Sequence, residues 1–241
     1  FIQSYRERKL DDDILVFSKE NDIFYNRVLL PEYVSDELSW KELEKLKKGE
    51  VAKLKLQLFP GVLIDKLDKE NKVITDSNGD QHSYDVLIMA TGSRAFVPTN
   101  ANLELPGRFT LRSRQDADNL KRHLDKTQLP DEDKHVVVVG GGLLGLELAA
   151  TLNKKNIPVT IIQRASRLME RQLDSTASRL LADDVSERGI QIYFDNEVST
   201  VFDDEVGDGL SVTLKTGKII NCNALVYAIG TLPNIELAKQ A

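Results

Sequence analysis

His135-Val-Val-Val-Val-Gly-Gly-Gly-Leu-Leu-Gly145 decides how this chain is read. Four consecutive valines form a short β-branched block, the pattern of a strand buried on both faces, and three glycines follow at once. From 143 to 155 the apolar residues Leu144, Leu146, Leu148, Ala149 and Leu152 recur at mostly helical spacing, and the pattern breaks at Asn156 before Pro158. Val159 to Ile162 is β-branched again, so 135–162 predicts a compact β-α-β unit of the right length for a parallel crossover. Glycines at 140, 142 and 145 match G-x-G-x-x-G between the predicted strand and helix. In that context the three serve, in turn, a tight turn, close backbone approach to a pyrophosphate, and close packing of helix on strand. The helix start at Leu143, Leu144 and Gly145 adds unpaired N–H groups and a partial positive charge for an anion. The alternative is a glycine-rich turn that holds no ligand.

Working outward, 175–188 predicts a helix, and 190–193, 210–214 and 219–226 predict extended segments. Ala224-Leu-Val-Tyr-Ala-Ile-Gly230 closes this half as an apolar strand ending at glycine, and Pro233 stops any regular element. The first half repeats the order. A helix-like start over 1–9 leads to a strand over 14–17, Leu56-Gln-Leu-Phe59 answers Ile190-Gln-Ile-Tyr193, and Asn78-Gly79 answers Thr216-Gly217. Val86-Leu-Ile-Met-Ala-Thr-Gly92 answers Leu225 to Gly230, so the chain reads as a diverged tandem repeat. On that reading the counterpart of the first strand and glycine loop lies upstream of Phe1. About 15 residues are expected there, one strand and one turn, leaving the N-terminal nucleotide site incomplete.

Composition narrows the class. Of 241 residues, 41% are hydrophobic and 29% charged, the balance of a globular chain. The 32 basic and 38 acidic residues give a net charge of -6, and no Lys/Arg block forms a stripe for nucleic acid. Apolar runs such as Val136 to Val139 fall far short of the roughly 20 residues of a membrane helix, which argues against a spanning role. One cysteine, Cys222, allows no internal disulfide, and with His82, His123 and His135 it makes no metal-ligand spacing. A reducing, cytoplasmic setting fits.

Two positions bear on nucleotide choice. A site selective for NAD ends its second strand with Asp or Glu, which accepts from the ribose hydroxyls; here that position is Gln163, followed by Arg164 and, nearby, Arg167. A 2′-phosphate would meet cations there, unless the two arginines are solvated surface charges, so NADH and NADPH both remain open. In the first half Glu20 follows the 14–17 strand, the residue type that holds an adenosine ribose, or else a solvated acid. Tyr25-Asn-Arg27 and Ala90-Thr-Gly-Ser93 support the former.

Together these features resemble the FAD- and NAD(P)H-dependent pyridine nucleotide-disulfide oxidoreductase superfamily. The marks are Glu20 with Tyr25-Asn-Arg27, Tyr84-Asp-Val-Leu-Ile-Met-Ala-Thr-Gly-Ser-Arg94, Phe109-Thr-Leu-Arg112 with Asp116-Ala117, the loop from Gly140 to Glu147, and Ala228-Ile-Gly230 with Pro233-Asn234. The resemblance implies an α/β fold of glutathione-reductase type: two three-layer, Rossmann-like dinucleotide-binding domains, the NAD(P)-binding one inserted in the FAD-binding one, truncated at both ends. The division expected is an FAD-binding domain over 1–111, an NAD(P)H-binding domain over 112–234 and the start of a return at 235–241. Tyr25-Asn-Arg-Val-Leu-Leu30, Leu38-Ser-Trp40 and Leu168-Met-Glu-Arg-Gln-Leu-Asp174 resemble most the flavin portion of NAD(P)H-dependent nitrite reductase large subunits, with rubredoxin-reductase-like enzymes close by.

That resemblance implies an enzyme in which NAD(P)H passes hydride to FAD, and the flavin passes electrons to an iron-sulfur and siroheme centre outside this chain. It puts Gly140, Gly142, Leu143, Leu144, Gly145, Gln163, Arg164, Arg167, Ala228, Ile229 and Gly230 on NAD(P)H. Glu20, Arg27, Ile64, Ala90, Thr91 and Gly92 fall to FAD, and Glu147 to positioning the nicotinamide. Glu147 reads equally as an acid favoured by the helix dipole. An electron-acceptor domain or protein is the implied partner, and a homodimer is compatible. The alternatives are a ferredoxin or rubredoxin reductase and a module that binds NAD(P)H without turnover. Three departures matter: Cys222 alone excludes the C-x-x-x-x-C disulfide chemistry, Leu29-Leu-Pro-Glu32 stands where many relatives carry a flavin-touching Lys, and the chain ends before the G-D segment that contacts the flavin ribityl. With the first glycine loop and its backbone donors lying upstream of Phe1, FAD is expected to bind this stretch weakly or not at all.

Overall fold

The computed structural model describes residues 1–8, 10–46, 49–203 and 209–240. Lys9, to which the sequence extends the first helix, lies outside them. In chain order the elements are α1 (Ile2–Glu7), β1 (Ile14–Ser18), three short helices α2 (Leu30–Val34), α3 (Trp40–Leu43) and α4 (Glu50–Lys53), then β2 (Leu56–Pro60), β3 (Ile64–Asp68), β4 (Val73–Asp76), β5 (Gln81–Ser83), β6 (Ser93–Ala95) and β7 (Arg108–Thr110). There follow α5 (Arg114–Lys126), β8 (Val136–Val139), α6 (Leu143–Lys154), β9 (Val159–Ile162), α7 (Ser175–Glu187), β10 (Gln191–Tyr193), β11 (Val198–Asp203), β12 (Leu210–Leu214), β13 (Ile219–Cys222), β14 (Ala224–Tyr227), β15 (Thr231–Pro233) and α8 (Glu236–Gln240). None of the described helices is long and apolar enough to cross a membrane.

By contacts the chain forms two units, 1–26 with 41–93 and 233–241, and 27–40 with 94–232. This division differs from the one drawn at 111 and 234 from sequence. Residues 27–40 and 94–111 group with the glycine loop because α2 packs on α6 and β7 joins the parallel sheet beside β14.

The second unit is built on a five-stranded parallel sheet ordered β10-β9-β8-β14-β7. β8 lies at its centre, paired with β9 on one side and β14 on the other. Val136, Val137 and Val138 are fully buried because both faces of the strand are covered. On one face α6 packs on β8 and β9, and α5 on β14 and β7. On the other lies the antiparallel sheet β11-β12-β13, whose Val212, Leu214 and Ile220 share a core with Val137, Ile162, Leu225 and Tyr227. Three layers result, as expected. α5 owes its start to a capping box: the Ser113 hydroxyl accepts from the Asp116 N–H at 3.2 Å, and the Asp116 carboxylate accepts from the Ser113 N–H at 2.9 Å.

The first unit pairs β1 and β2 in parallel and holds a three-stranded antiparallel sheet, β3-β4-β5. Two expectations are corrected. The 219–226 segment is two strands, broken at Asn223, whose N–H donates to the His135 carbonyl at 2.8 Å while its side-chain oxygen accepts from the His135 N–H at 2.8 Å. That clamp turns the chain from the antiparallel sheet into the parallel one. The 86–92 run, read as the match of β14, forms no strand: among the described residues no ladder pairs it, and Val86 is 80% exposed. β14 is a strand because β8 and β7 flank it.

Candidate functional site

The site lies at the carboxyl ends of β8, β9 and β14. The connection from β8 leads to β9 on one side while β14 returns on the other, so a crevice opens where the strand order reverses, the place where open α/β sheets take their ligands. Gly140 spans it. Its N–H donates to the Ile162 carbonyl at 2.8 Å, its φ is +113°, and a Cβ there would sit 2.5 Å from the Ala228 carbonyl oxygen. Only glycine fits on both counts. Gly145, in the first turn of α6, faces the Gly140 carbonyl so closely that a Cβ would lie 2.0 Å from the oxygen, which is the packing of helix on strand that the spacing predicted.

Gly142 is different. It is the N-cap of α6, no side chain caps the helix there, and a Cβ would meet nothing within 4 Å. The first-turn N–H groups have no partner within the helix, the helix dipole lies behind them, and the open space beside Gly142 leaves room for a pyrophosphate. Leu143 beside it is exposed, and 228–230 borders the loop through the Ala228 carbonyl and the Ile229 side chain, both within 3.2 Å of a Cβ on Gly140. Residues 163, 168 and 169 thus lie against Gly141, and 228–229 against Gly140.

Gln163 follows β9, but its amide turns inward. It is buried, its Oε1 accepts from the Gly141 N–H at 2.8 Å, and its Nε2 donates to the Arg167 carbonyl at 3.1 Å. Arg164 and Arg167 are exposed on the turn that follows. The 168–174 segment, quoted above for its resemblance, serves the local structure. Leu168 is fully buried and packs toward Gly141, the Met169 N–H donates to the Gly141 carbonyl at 2.9 Å, and the Asp174 carboxylate caps α7 by accepting from the Ala177 N–H at 2.8 Å.

Glu147, in the second turn of α6, is partly buried, and burial first, then the charge of Glu32, pushes its carboxyl above the ordinary value. Glu32, in α2, has a buried Oε2 with no hydrogen-bond partner among the described residues. From sequence Glu32 stands only as the end of Leu29-Leu-Pro-Glu32, where many relatives carry a Lys, and nothing there foretells its buried oxygen. Arg27, given above to FAD, bonds through its guanidinium to the Arg112 carbonyl within this unit.

In the first unit, Glu20 follows β1 and accepts from the Tyr25 hydroxyl at 2.7 Å, while its carbonyl accepts from the Gly61 N–H at 3.2 Å. This brings Glu20 to the loop that leads into β3 at Ile64. Thr91 and Gly92 are held elsewhere, against Asn234: the Thr91 hydroxyl donates to the Asn234 carbonyl at 2.7 Å, the Asn234 amide donates to the Thr91 carbonyl at 2.8 Å, and the Asn234 N–H donates to Gly92 at 2.9 Å. Ala90 is exposed beside them. Glu20 thus lies in one unit, and the glycine loop of 140–145 in the other.

The chain is similar to known proteins. Nitrite reductase [NAD(P)H] of Bacillus subtilis is 32% identical over 229 residues, 95% of this chain and 27% of that protein. The chain spans between 23% and 29% of the length of the first curated relatives it matches. A ferredoxin reductase from Rhodopseudomonas palustris superposes with a TM-score of 0.88 at 26% identity, covering 99% of this chain and 57% of that one. The putidaredoxin reductase of a covalent complex with putidaredoxin does so at 0.90 and 25%, covering 98% and 57%. Residues 3–241 match one family throughout: the chain belongs to the pyridine nucleotide-disulphide oxidoreductases, oxidoreductases whose cofactors are NAD(P)H and FAD.

Proposed function

We propose that this chain is the hydride-input part of a cytoplasmic flavoprotein reductase of the nitrite reductase large-subunit type, with 112–234 receiving NAD(P)H and 1–111 contributing to the FAD site. The observation that carries the reading is Gly142, open on its ligand side beneath an uncapped α6 while Gly140 and Gly145 are packed shut. The N–H groups of Leu143, Leu144 and Gly145 would hold the pyrophosphate, and 228–230 would border it. Glu147, whose carboxyl burial pushes above its ordinary value, would accept from a carboxamide N–H and so orient a nicotinamide. Glu20, Arg27, Ile64, Ala90, Thr91 and Gly92 are assigned to FAD. FAD, when bound, accepts hydride and releases electrons one at a time. The acceptor, an iron-sulfur and siroheme centre, would lie outside these residues. The relatives' names support the type of reductase, and the likeness to the two ferredoxin-type reductases supports a protein acceptor as the second reading.

The test is spectroscopic. The full-length protein is mixed with NADPH or NADH without oxygen while the flavin band is followed, then nitrite or an oxidised ferredoxin is added. Bleaching followed by nitrite-dependent recovery is expected. Recovery with ferredoxin alone would favour the second reading, and a flavin that stays oxidised with both donors would leave a module that binds the nucleotide without turnover.

A further inference from the structure

Gln163 stands where a site built for an unphosphorylated ribose carries a carboxylate, yet every polar atom it has is engaged. Its N–H donates to the Tyr193 carbonyl at 2.9 Å and its carbonyl accepts from the Asn196 N–H at 3.1 Å. The side-chain amide joins Gly141 at 2.8 Å to Arg167 at 3.1 Å, in a residue only 7% exposed. Gly141 is gripped from its other end by the Met169 N–H at 2.9 Å, and the Leu168 Cδ2 would lie 2.5 Å from a Cβ placed on it.

The middle glycine of the cradle is therefore latched to the turn that carries Arg164 and Arg167, and the amide is the strut between them. A buried amide with both ends bonded offers ribose hydroxyls little, because turning toward them would orphan the Gly141 N–H. The turn it fixes leaves Arg164 and Arg167 exposed at the same strand end, with the Arg167 guanidinium anchored by donating to the Glu170 carbonyl at 3.1 Å. Phosphate is the anion that guanidinium geometry suits.

We propose that Gln163 is the positioning residue for nucleotide choice: by bonding Gly141 and Arg167 at once it withholds a ribose acceptor and sets the Arg164–Arg167 turn beside the glycine loop, so that the site takes NADPH over NADH. This rests on reading the loop as a nucleotide site.

The experiment is calorimetric binding of adenosine 2′,5′-bisphosphate and of adenosine 5′-monophosphate to the whole protein, which needs no flavin turnover. The bisphosphate is expected to bind at least about tenfold more tightly, the scale of one charge-assisted contact. Arg164→Ala and Gln163→Met should each bring that ratio close to one. Hydrogen exchange at the Gly141 amide should quicken in Gln163→Met. Should that variant fail to fold, Gln163→Asn keeps an amide too short to span both partners and is expected to lose the ratio likewise.

A wild-type ratio near one overturns the preference for NADPH. A ratio unchanged in folded Gln163→Met or Gln163→Asn overturns the positioning role, since a merely structural residue would lower the melting temperature without moving it. Failure of wild type to bind either adenylate defeats the nucleotide-site reading itself, a result distinct from both.

Discussion

The sheets β3-β4-β5 and β11-β12-β13 are the same backbone built twice. Ile74 pairs with His82 and Thr75 with Gln81, as Val212 pairs with Ile220 and Thr213 with Ile219. Each first strand carries its register shift at the same place, after Ile64 and after Val198. Each second turn closes on a glycine at positive φ, the Gly79 N–H donating to Asp76 and the Gly217 N–H to Leu214, both at 2.9 Å. The side chains differ. Asp76 and His82, 3.1 Å apart, occupy the places of Leu214 and Ile220, and His82 packs on the stacked rings of Phe17 and Phe59 where Ile220 shares a core with Ile162 and Tyr193. Turn and bulge fix the backbone; what covers the face selects the residues. A sheet laid on a five-stranded core is filled with aliphatics, while the one beside the two strands β1 and β2 keeps a polar pair.

Exchanging these residues tests that account, and the largest effect falls on the second unit. Leu214→Asp would bury a carboxylate with Ile220 where the first unit offers histidine, and should cost on the order of 4 kcal/mol in unfolding by denaturant. A loss below about 1 kcal/mol would mean that the second sheet admits water as freely as the first. Next come the loop glycines of the second unit. Gly145→Ala, with its Cβ 2.0 Å from the Gly140 oxygen, should lose about 3 kcal/mol, whereas Gly142→Ala should melt like wild type and bind adenosine phosphates at least about tenfold more weakly. Equal melting losses in both would remove the distinction between the packed glycine and the open one.

A smaller effect belongs to the first unit. The hydrogen bond from His82, then the N–H groups of Asn78 and Asp80, hold the Asp76 carboxyl below its usual 3.8 against the opposing effect of burial. A depressed carboxylate stabilises the fold fully above its unfolded value and loses that contribution as pH falls through the folded one. Asp76→Asn should therefore melt several degrees below wild type at neutral pH, and the two curves should converge as the medium is acidified below 3.8. A gap independent of pH would assign the loss to shape rather than charge.

Much of this was legible in residues. β8 and β9 were read to within a residue because a strand buried on both faces shows as an unbroken β-branched run. The glycine spacing likewise announced its geometry, since steric exclusion by the Gly140 and Ala228 carbonyls leaves no other residue. β11 was missed because the bulge after Val198 and its exposed edge blur the alternation. α5 escaped although Ser113 and Asp116 spell its capping box. The 86–92 run misled because an apolar stretch says nothing of whether a neighbouring strand pairs it. The direction of the Gln163 amide was beyond reach: its partner Gly141 is 22 residues away in sequence and close only once β8 and β9 are paired.

The gentlest probe of the comparison changes no residue. Cys222 in β13 aligns with Tyr84 after β5, and where Tyr84 is half-buried, Cys222 is 5% exposed in the core beneath the antiparallel sheet. Burial pushes its thiol up to about 12, against weaker lowering by the Val137 backbone and the charge of Arg108. Thiolate is the nucleophile, so at pH 8 the folded protein should react with a thiol-specific disulfide reagent only through openings of the second sheet. Unfolding in denaturant should expose one thiol per chain at once, and Gly145→Ala and Leu214→Asp should speed native labelling in proportion to their loss of stability. Rapid labelling of the wild-type protein, at a rate indifferent to those substitutions, would show that β11-β12-β13 opens independently of the parallel sheet. The aliphatic filling of the second unit would then not be what holds its two sheets together, and the contrast with the polar pair of the first would lose its physical basis.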